Sequence, residues 1–251
     1  LSEKTDEALQ LVRVHYLANA GQSPHYLAMR NFTYRDVLNL YRTGKFPMSD
    51  SRTSQQFVIV EPEMRGIIPL DGLHISRSLA KFMRSTDLTL TIDQAFDAVV
   101  WACAQPRPTE GGGTWISDSL RQLYRLFLDM GHAHSVEVWQ DSELVGGLFG
   151  VTIGGAFFGE SMFSIRPNAS KLALVHLVER LNAGGFTLLD TQYLTDHLES
   201  MGGIEIPQSD YLKLLPNALK KRGDFTALDH PITMFETTPV DLSPKDANPE
   251  A

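Results

Sequence analysis

Between Ser135 and Phe163 three apolar runs follow one another with only short interruptions. The runs are Ser135–Gln140, Glu143–Ile153 and Ala156–Phe163, and the breaks are Asp141-Ser142 and Gly154-Gly155. Each run reads as a strand, and Asp141-Ser142 is short enough to be a hairpin turn. Strands joined by such links lie antiparallel and side by side. The chain must therefore build an antiparallel meander and cover it. The covering elements are legible. Ser117–Met130 places Leu120, Leu123, Tyr124 and Phe127 at helical spacing and ends at Gly131. Lys171–Asn182 is a second strong helix, with Leu172, Leu174, Val175 and Val178 inward. Phe186–Gln192 reads as a further strand and Thr195–Met201 as a short helix. Upstream, Ser76–Ser85 looks helical, Leu88–Ile92 alternates like a strand, and Asp93–Cys103 continues as a helix. Strands in a meander, then helix, strand and helix, predict an α+β sheet domain.

The stretch before Met64 is less regular. Asp36–Tyr41 reads as a short helix with Val37, Leu38 and Tyr41 inward, ending at Gly44. Gln56–Val60 is a strand closed by Pro62. This organisation predicts a small N-terminal domain over 1–65, a main domain over 66–235, and a disordered Pro-, Asp- and Glu-rich tail over 236–251. No apolar run is long enough to span a membrane, and the first ten residues do not resemble a signal peptide.

A lone cysteine, Cys103, among 251 residues excludes an intramolecular disulfide and any multi-cysteine metal site. It fits a reducing cytosol. The formal net charge of −8 argues at first sight against a nucleic-acid partner. The two ends, Leu1–Gln10 and Phe235–Ala251, carry −5 of that total. Arg77, Lys81 and Arg84 meanwhile share one helical face with no acid between His74 and Arg84.

Common catalytic signatures are missing. There is no P-loop, no three-glycine dinucleotide fingerprint and no Gly-X-Ser-X-Gly elbow. His132 and His134 have no third ligand nearby in sequence and read as structural. Cys103 has no evident activator. What remains is a polar set inside apolar strands. Glu160 stands in FFGESMF, where a carboxylate is costly unless paired or used. Asp190 and Gln192 end FTLLDTQ two residues apart, so their side chains share a face. From the residues alone two readings stay open. Asp190 caps a turn and Glu160 satisfies a buried amide, or the three form a site.

Longer motifs narrow the choice. FFGESMFSIRPNASK (157–171), GTWIS (113–117), GHAHSVEVW (131–139), ELVGGLFGV (143–151), LLDTQ (188–192) and HLESMGGIEIPQSDYL (197–212) occur in order. Together they closely resemble the bacterial leucyl/phenylalanyl-tRNA–protein transferases over roughly residues 66–215. The resemblance implies a GNAT-like acyltransferase domain, with a mixed and largely antiparallel sheet, behind a small N-terminal domain. It implies transfer of Leu or Phe, and less readily Met, from aminoacyl-tRNA to proteins beginning with Lys or Arg. The product would feed the N-degron degradation pathway. A cytoplasmic monomer without cofactor or metal is expected. The absence of a glycine signature for cradling a pyrophosphate agrees with a donor other than acetyl-CoA.

The resemblance also assigns roles. Asp190 and Gln192 match the family's Asp–X–Gln pair, with Asp190 orienting and polarising Gln192 and the Gln192 oxygen accepting from the incoming amine. Glu160 matches the pocket glutamate. Leu148, Phe157, Met162, Leu177, Leu181 and Leu189 match the lining of the aminoacyl side-chain pocket. Trp115 matches a contact to the terminal adenosine, and Arg77, Lys81 and Arg84 match a basic cluster for the tRNA acceptor end. One departure stands out. Phe46-Pro47 is followed by Met48, where the family usually has a tryptophan that helps build the substrate site, and QQFVIVEPEMR lacks the later tryptophan pair. That departure leaves altered acceptor specificity, or a non-catalytic aminoacyl-tRNA-binding protein, as alternatives.

Overall fold

The structure is a computed structural model. It describes the backbone of residues 13–17 and 25–26, and residues 33–106 and 113–228 in full. The expected disordered tail at 236–251 lies outside the described residues.

Two sheets are present among these residues. The first joins β1 (Arg13–Leu17), β2 (His25–Tyr26), β3 (Phe46–Met48) and β4 (Gln56–Val60) in the order β2-β1-β4-β3. The second has seven strands: β5 (Met64–Ile68), β6 (Thr89–Ile92), β7 (Ala133–Gln140), β8 (Glu143–Ile153), β9 (Ala156–Ser164), β10 (Leu188–Gln192) and β11 (Ile204–Pro207). Their order is β11-β5-β10-β9-β8-β7-β6. Every neighbouring pair is antiparallel except β9 with β10, which run parallel. The expected mixed, largely antiparallel sheet is therefore present. The expected meander forms β7, β8 and β9. Asp141 and Gly154 take positive φ, 53° and 62°, at its two turns.

Parallel neighbours need a crossover, and α5 (Ala169–Ala183) supplies it. It packs on one face of the large sheet with α2 (Arg77–Met83) and α6 (Asp196–Glu199), in a core that includes Leu79, Leu148, Phe157, Leu172, Leu189 and Leu198. The other face carries α1 (Tyr34–Arg42), α3 (Phe96–Cys103), α4 (Asp118–Asp129) and α7 (Gln208–Leu219). Tyr41, Phe96, Leu120, Phe149, Phe158 and Leu215 belong to that core. Leu148 and Phe149, like Phe157 and Phe158, thus point to opposite cores. A strand covered on both faces needs apolar side chains at successive positions, which is why β8 reads as one apolar run.

The structure adds elements that local sequence patterns conceal. β3 is three residues long and contains Pro47 on an edge strand. β5 carries Arg65 and Gly66, which interrupt its apolar pattern, and it crosses the expected boundary at 65/66. α7 continues through Pro216. Asp93 does not open a helix. It takes φ 55°, its carboxylate binds His134 and the Ser135 amide, and α3 starts only at Phe96. The N-terminal stretch is not packed separately, because Val37, Leu38, Tyr41, Phe46 and Phe57 join the same core as α3 and α4.

Gly66 sits where β5 passes under the end of β10. A Cβ at this position would lie 2.6 Å from the Tyr193 carbonyl carbon and 2.7 Å from the Leu194 amide nitrogen. Both obstacles are backbone, so the strands would have to move apart. Gly66→Ala should lower stability by about 1–3 kcal/mol, as overpacking does, read as a shifted urea midpoint. An unchanged midpoint would contradict the close approach.

Candidate active site

β9 and β10 pair only through Leu188–Ala156, Leu189–Phe157 and Asp190–Phe158. Beyond that point they part. The register of β10 on β5 shifts between Asp190 and Gln192, and Gln192 adopts a left-handed φ of 64°. A non-glycine residue held there stores strain, which tends to mark functional positions. A cavity of about 870 Å³ opens where the strands separate. Leu148, Met162, Leu174, Leu177, Leu189 and Leu198 give it apolar walls. Glu160 and Gln192 supply polar groups, and Met48, Trp101, Trp115 and Tyr193 also line it.

Glu160 is 8% exposed and takes three hydrogen bonds. Tyr41 donates at 2.8 Å from α1, Tyr124 at 2.7 Å from α4, and Gln192 Nε2 at 3.2 Å across the gap between the strands. Burial pushes the Glu160 carboxyl up to about 7, partly offset by those three donors. Burial, then the Glu160 charge, raises the Tyr41 and Tyr124 hydroxyls well above their ordinary value, so both stay donors. With Nε2 held by Glu160, the Oε1 end of the Gln192 amide is turned away from the carboxylate.

Asp190 is fully buried and does not line the cavity. Its carboxylate receives Arg65 Nε at 2.9 Å and Nη2 at 2.5 Å, the Tyr211 hydroxyl at 2.6 Å, and the backbone N–H of Gln192 at 2.8 Å. Arg65 is itself fully buried, donates to the Gly44 carbonyl, and lies over the rings of Phe46 and Tyr211. Asp190 therefore reaches Gln192 through the main chain, where the expectation had it polarise the side chain. This bond holds the left-handed turn that aims Gln192.

The expected residues divide accordingly. Glu160, Gln192, Leu148, Met162, Leu177, Leu189 and Trp115 surround one cavity. Phe157 and Leu181 do not line it. Phe157 stacks on Phe225 at 5.7 Å, and Leu181 is buried in the α5 core. Arg77, Lys81 and Arg84 are exposed on α2 and its C-cap, opposite the buried Leu79 and Met83. His132 Nδ1 lies 3.1 Å from the Thr152 carbonyl oxygen and His134 Nδ1 2.7 Å from Asp93, and no group of three metal-ligating side chains occurs among the described residues. Sequence reasoning placed Tyr41 and Tyr124 in the core and missed their hydroxyls. A buried tyrosine needs a partner for its OH, and that was the available signal. Arg65, Tyr211 and Trp101 gave none.

A pocket with apolar bulk on one side and neutral donors around a carboxylate suits an enzyme that holds two substrates together for group transfer. Comparison with known proteins names the group. Residues 67–216 match the model of the family described as leucyl/phenylalanyl-tRNA protein transferase. The chain is 52% identical over 205 residues to a leucyl/phenylalanyl-tRNA–protein transferase of Maricaulis maris, covering 82% of this chain and 94% of the relative. It is 52% identical over 198 residues to one from Nitrobacter winogradskyi, covering 78% and 88% of the two chains. It is 50% identical over 206 residues to one from Rhodopseudomonas palustris, covering 81% and 91%. The chain belongs to this family of aminoacyltransferases.

Two predictions follow from the carboxylates. Asp190→Ala leaves the Arg65 guanidinium buried without its partner and should cost about 3–5 kcal/mol of stability. The pair Arg65→Met with Asp190→Leu should recover part of that stability without restoring turnover, measured by urea unfolding beside an activity assay. The second concerns pH. The Glu160 carboxyl binds its proton more tightly folded than unfolded, since its folded value is about 7 against an ordinary 4.5. Its contribution to stability is therefore greatest below about 4.5 and declines as pH rises to about 7. Glu160→Gln should flatten stability across that window. An unaltered pH profile in the variant would remove Glu160 as its source.

Proposed function

We propose that this chain transfers Leu or Phe, and less readily Met, from aminoacyl-tRNA to the N-terminal amine of proteins beginning with Lys or Arg. The observation that carries this reading is the Gln192 amide, held by Glu160 at 3.2 Å and by Asp190 through its backbone, at the edge of an apolar cavity. The aminoacyl side chain occupies the apolar walls at Leu148, Met162, Leu177 and Leu189. Such walls favour Leu and Phe over polar residues but separate similar apolar side chains only weakly. The ester carbonyl then lies near Gln192. The acceptor amine attacks in its neutral form, and Gln192 Oε1 accepts a hydrogen bond from it and fixes its approach. The new C–N bond forms, the C–O bond to the ribose breaks, and the amine's proton ends on the departing ribose oxygen. An amide is a poor base, so Gln192 positions the amine and does not keep the proton.

The ester is already activated, so holding both substrates in line supplies much of the acceleration. Trp115 offers a stacking surface to the terminal adenosine. Arg77, Lys81 and Arg84 contact acceptor-end phosphates, which gives affinity without sequence readout. The domain is GNAT-like in this reading and acts as a cytoplasmic monomer. Its products enter an N-degron route to proteolysis.

The deciding assay presents charged leucyl-tRNA and peptides starting with Arg, Lys, Asp or Glu. Leucine is expected on the Arg and Lys peptides alone, and Gln192→Ala should lower turnover by roughly a hundredfold, the usual scale for losing a positioning or acid–base group. Transfer to Asp or Glu peptides instead would establish a different acceptor class. Tight leucyl-tRNA binding without transfer to any peptide would refute catalysis.

A further inference from the structure

Phe157 is buried one step behind the cavity wall, and what holds it there comes from the far end of the chain. Leu189, which lines the cavity, is its register partner on β10. Leu148, two residues from Gly150 on β8, also lines the cavity and shares the core of Phe157. The Phe157 ring leans away from β10 and over β8. A Cβ on Gly150 would lie 2.4 Å from its Cε1 and 2.6 Å from its Cζ. The ring therefore fills the space that Gly150 leaves by having no side chain. Phe225 stands against it there. It is buried and stacks on Phe157 at 5.7 Å, with the ring planes 18° apart. It also stacks on His134 at 4.2 Å, with the planes 15° apart. His134 is the partner of Gly150 on β7, so the three rings cover one stretch of the sheet.

Phe225 belongs to the segment after α7, and that segment is tied down at several points. Gly223 N–H donates to the Gly154 carbonyl at 3.1 Å and Asp224 N–H to the Gly184 carbonyl at 3.0 Å. Arg180 of α5 makes the most unusual tie. It is buried and forms no ion pair among the described residues. Its Nη1 donates instead to the Phe225 carbonyl at 2.9 Å and to the Leu228 carbonyl at 3.2 Å, and its Cζ lies 5.6 Å from the centre of the Phe225 ring. A buried guanidinium is costly unless its donors are used. Here their use fixes the position of one phenyl ring. Arg180 stands three residues beyond Leu177 on α5, and Leu177 is another wall residue of the cavity.

We propose that Phe225 sets the depth of the aminoacyl side-chain pocket. By backing Phe157 it fixes the closed end behind Leu148 and Leu189, and with it the size of donor side chain that fits. The role deepens the transferase reading above and rests on it. Phe225 touches no substrate and is a positioning residue that acts through Phe157. Interiors are packed to the density of crystals, so a wall residue is held in place by whatever stands behind it. Truncating Phe225 leaves a void that the surroundings fill only in part, and Phe157 gains room to withdraw. The pocket then takes a larger side chain more readily, while leucine, which already fits, gains nothing.

The test compares leucyl-adenosine with phenylalanyl-adenosine as donors to an Arg-starting peptide. Phe225→Ala should raise the kcat/KM ratio of phenylalanyl over leucyl donor roughly tenfold, the lower end of what a small change of fit in an apolar pocket produces. Phe225→Leu keeps most of the volume, protects the fold, and should move the ratio the same way by less. With Phe157→Leu already in place, Phe225→Ala should change the ratio less than about twofold, because the ring it acts through is gone. A full shift in that background would mean a route other than Phe157 and overturns the proposal. So does an unchanged ratio in both Phe225 variants, including equal loss of activity with the two donors, which is the mark of a merely structural role. A binding arm needs no turnover: calorimetry with adenosine carrying amide-linked leucine or phenylalanine. If wild type binds both ligands without transferring anything, and Phe225→Ala shifts preference toward phenylalanine, the depth role stands and the transferase reading falls. Transfer by wild type with no shift of preference in the variants leaves that reading standing and removes the depth role. Binding of neither ligand by wild type overturns both.

Discussion

The site depends on one buried ion pair. Arg65 and Asp190 come from neighbouring strands, both have no solvent exposure, and their contact is bidentate. Neither charge is tolerable there alone. Tyr211 and the Gly44 carbonyl complete the set, so α7, β10, β5 and the turn after α1 meet at a single guanidinium–carboxylate pair. What this arrangement contributes to function is geometric. It holds the Gln192 amide nitrogen at the point where β10 leaves β9. A pair of hydrophobic residues could fill the same volume, but neither could accept that N–H.

The two carboxylates of the site therefore do different work. Asp190 is paired with Arg65 behind the wall, and it shapes the chain. Glu160 forms no direct ion pair among the described residues; three neutral donors reach it, and its carboxyl is raised to about 7. Its burial is the larger influence and the hydrogen bonds the smaller. This contrast explains how acids that both lie within apolar strands can serve one amide side chain from two directions. Asp190 fixes where Gln192 begins, and Glu160 fixes which end of its amide faces the cavity.

The cavity is also a consequence of topology. A purely antiparallel sheet could continue pairing to its edge, whereas the parallel β9–β10 pair is closed by the α5 crossover at one end and free to separate at the other. The bulge at Phe149/Gly150 bends β8 and β9 in the same region. Apolar side chains that would otherwise meet across the sheet line an opening instead. Trp101, Trp115 and Met48 border it from α3, the segment before α4, and β3.

Periodicity made the meander, α4, α5 and the inward faces of both helices legible, because apolar spacing is a local property. Position two apart on a strand suggests one face for Asp190 and Gln192, but the register shifts between them and Gln192 turns left-handed, so only Gln192 lines the cavity. The long motifs identified the family, which the comparisons bear out over residues 67–216. Other features were beyond reach of spacing. Arg65 and Asp190 are 125 residues apart, and Tyr41 and Glu160 are 119 apart. No pattern in either segment signals the other. Burial decided the rest: it withdrew Phe157 and Leu181 from the cavity wall, turned Tyr41 and Tyr124 from packing residues into donors, and raised the Glu160 carboxyl. The sequence alone determined the strands that carry Glu160, Asp190 and Gln192, since apolar spacing follows from local geometry. Only the tertiary structure decided which side chains meet, because hydrogen bonds and ion pairs depend on distances that the chain acquires when it folds.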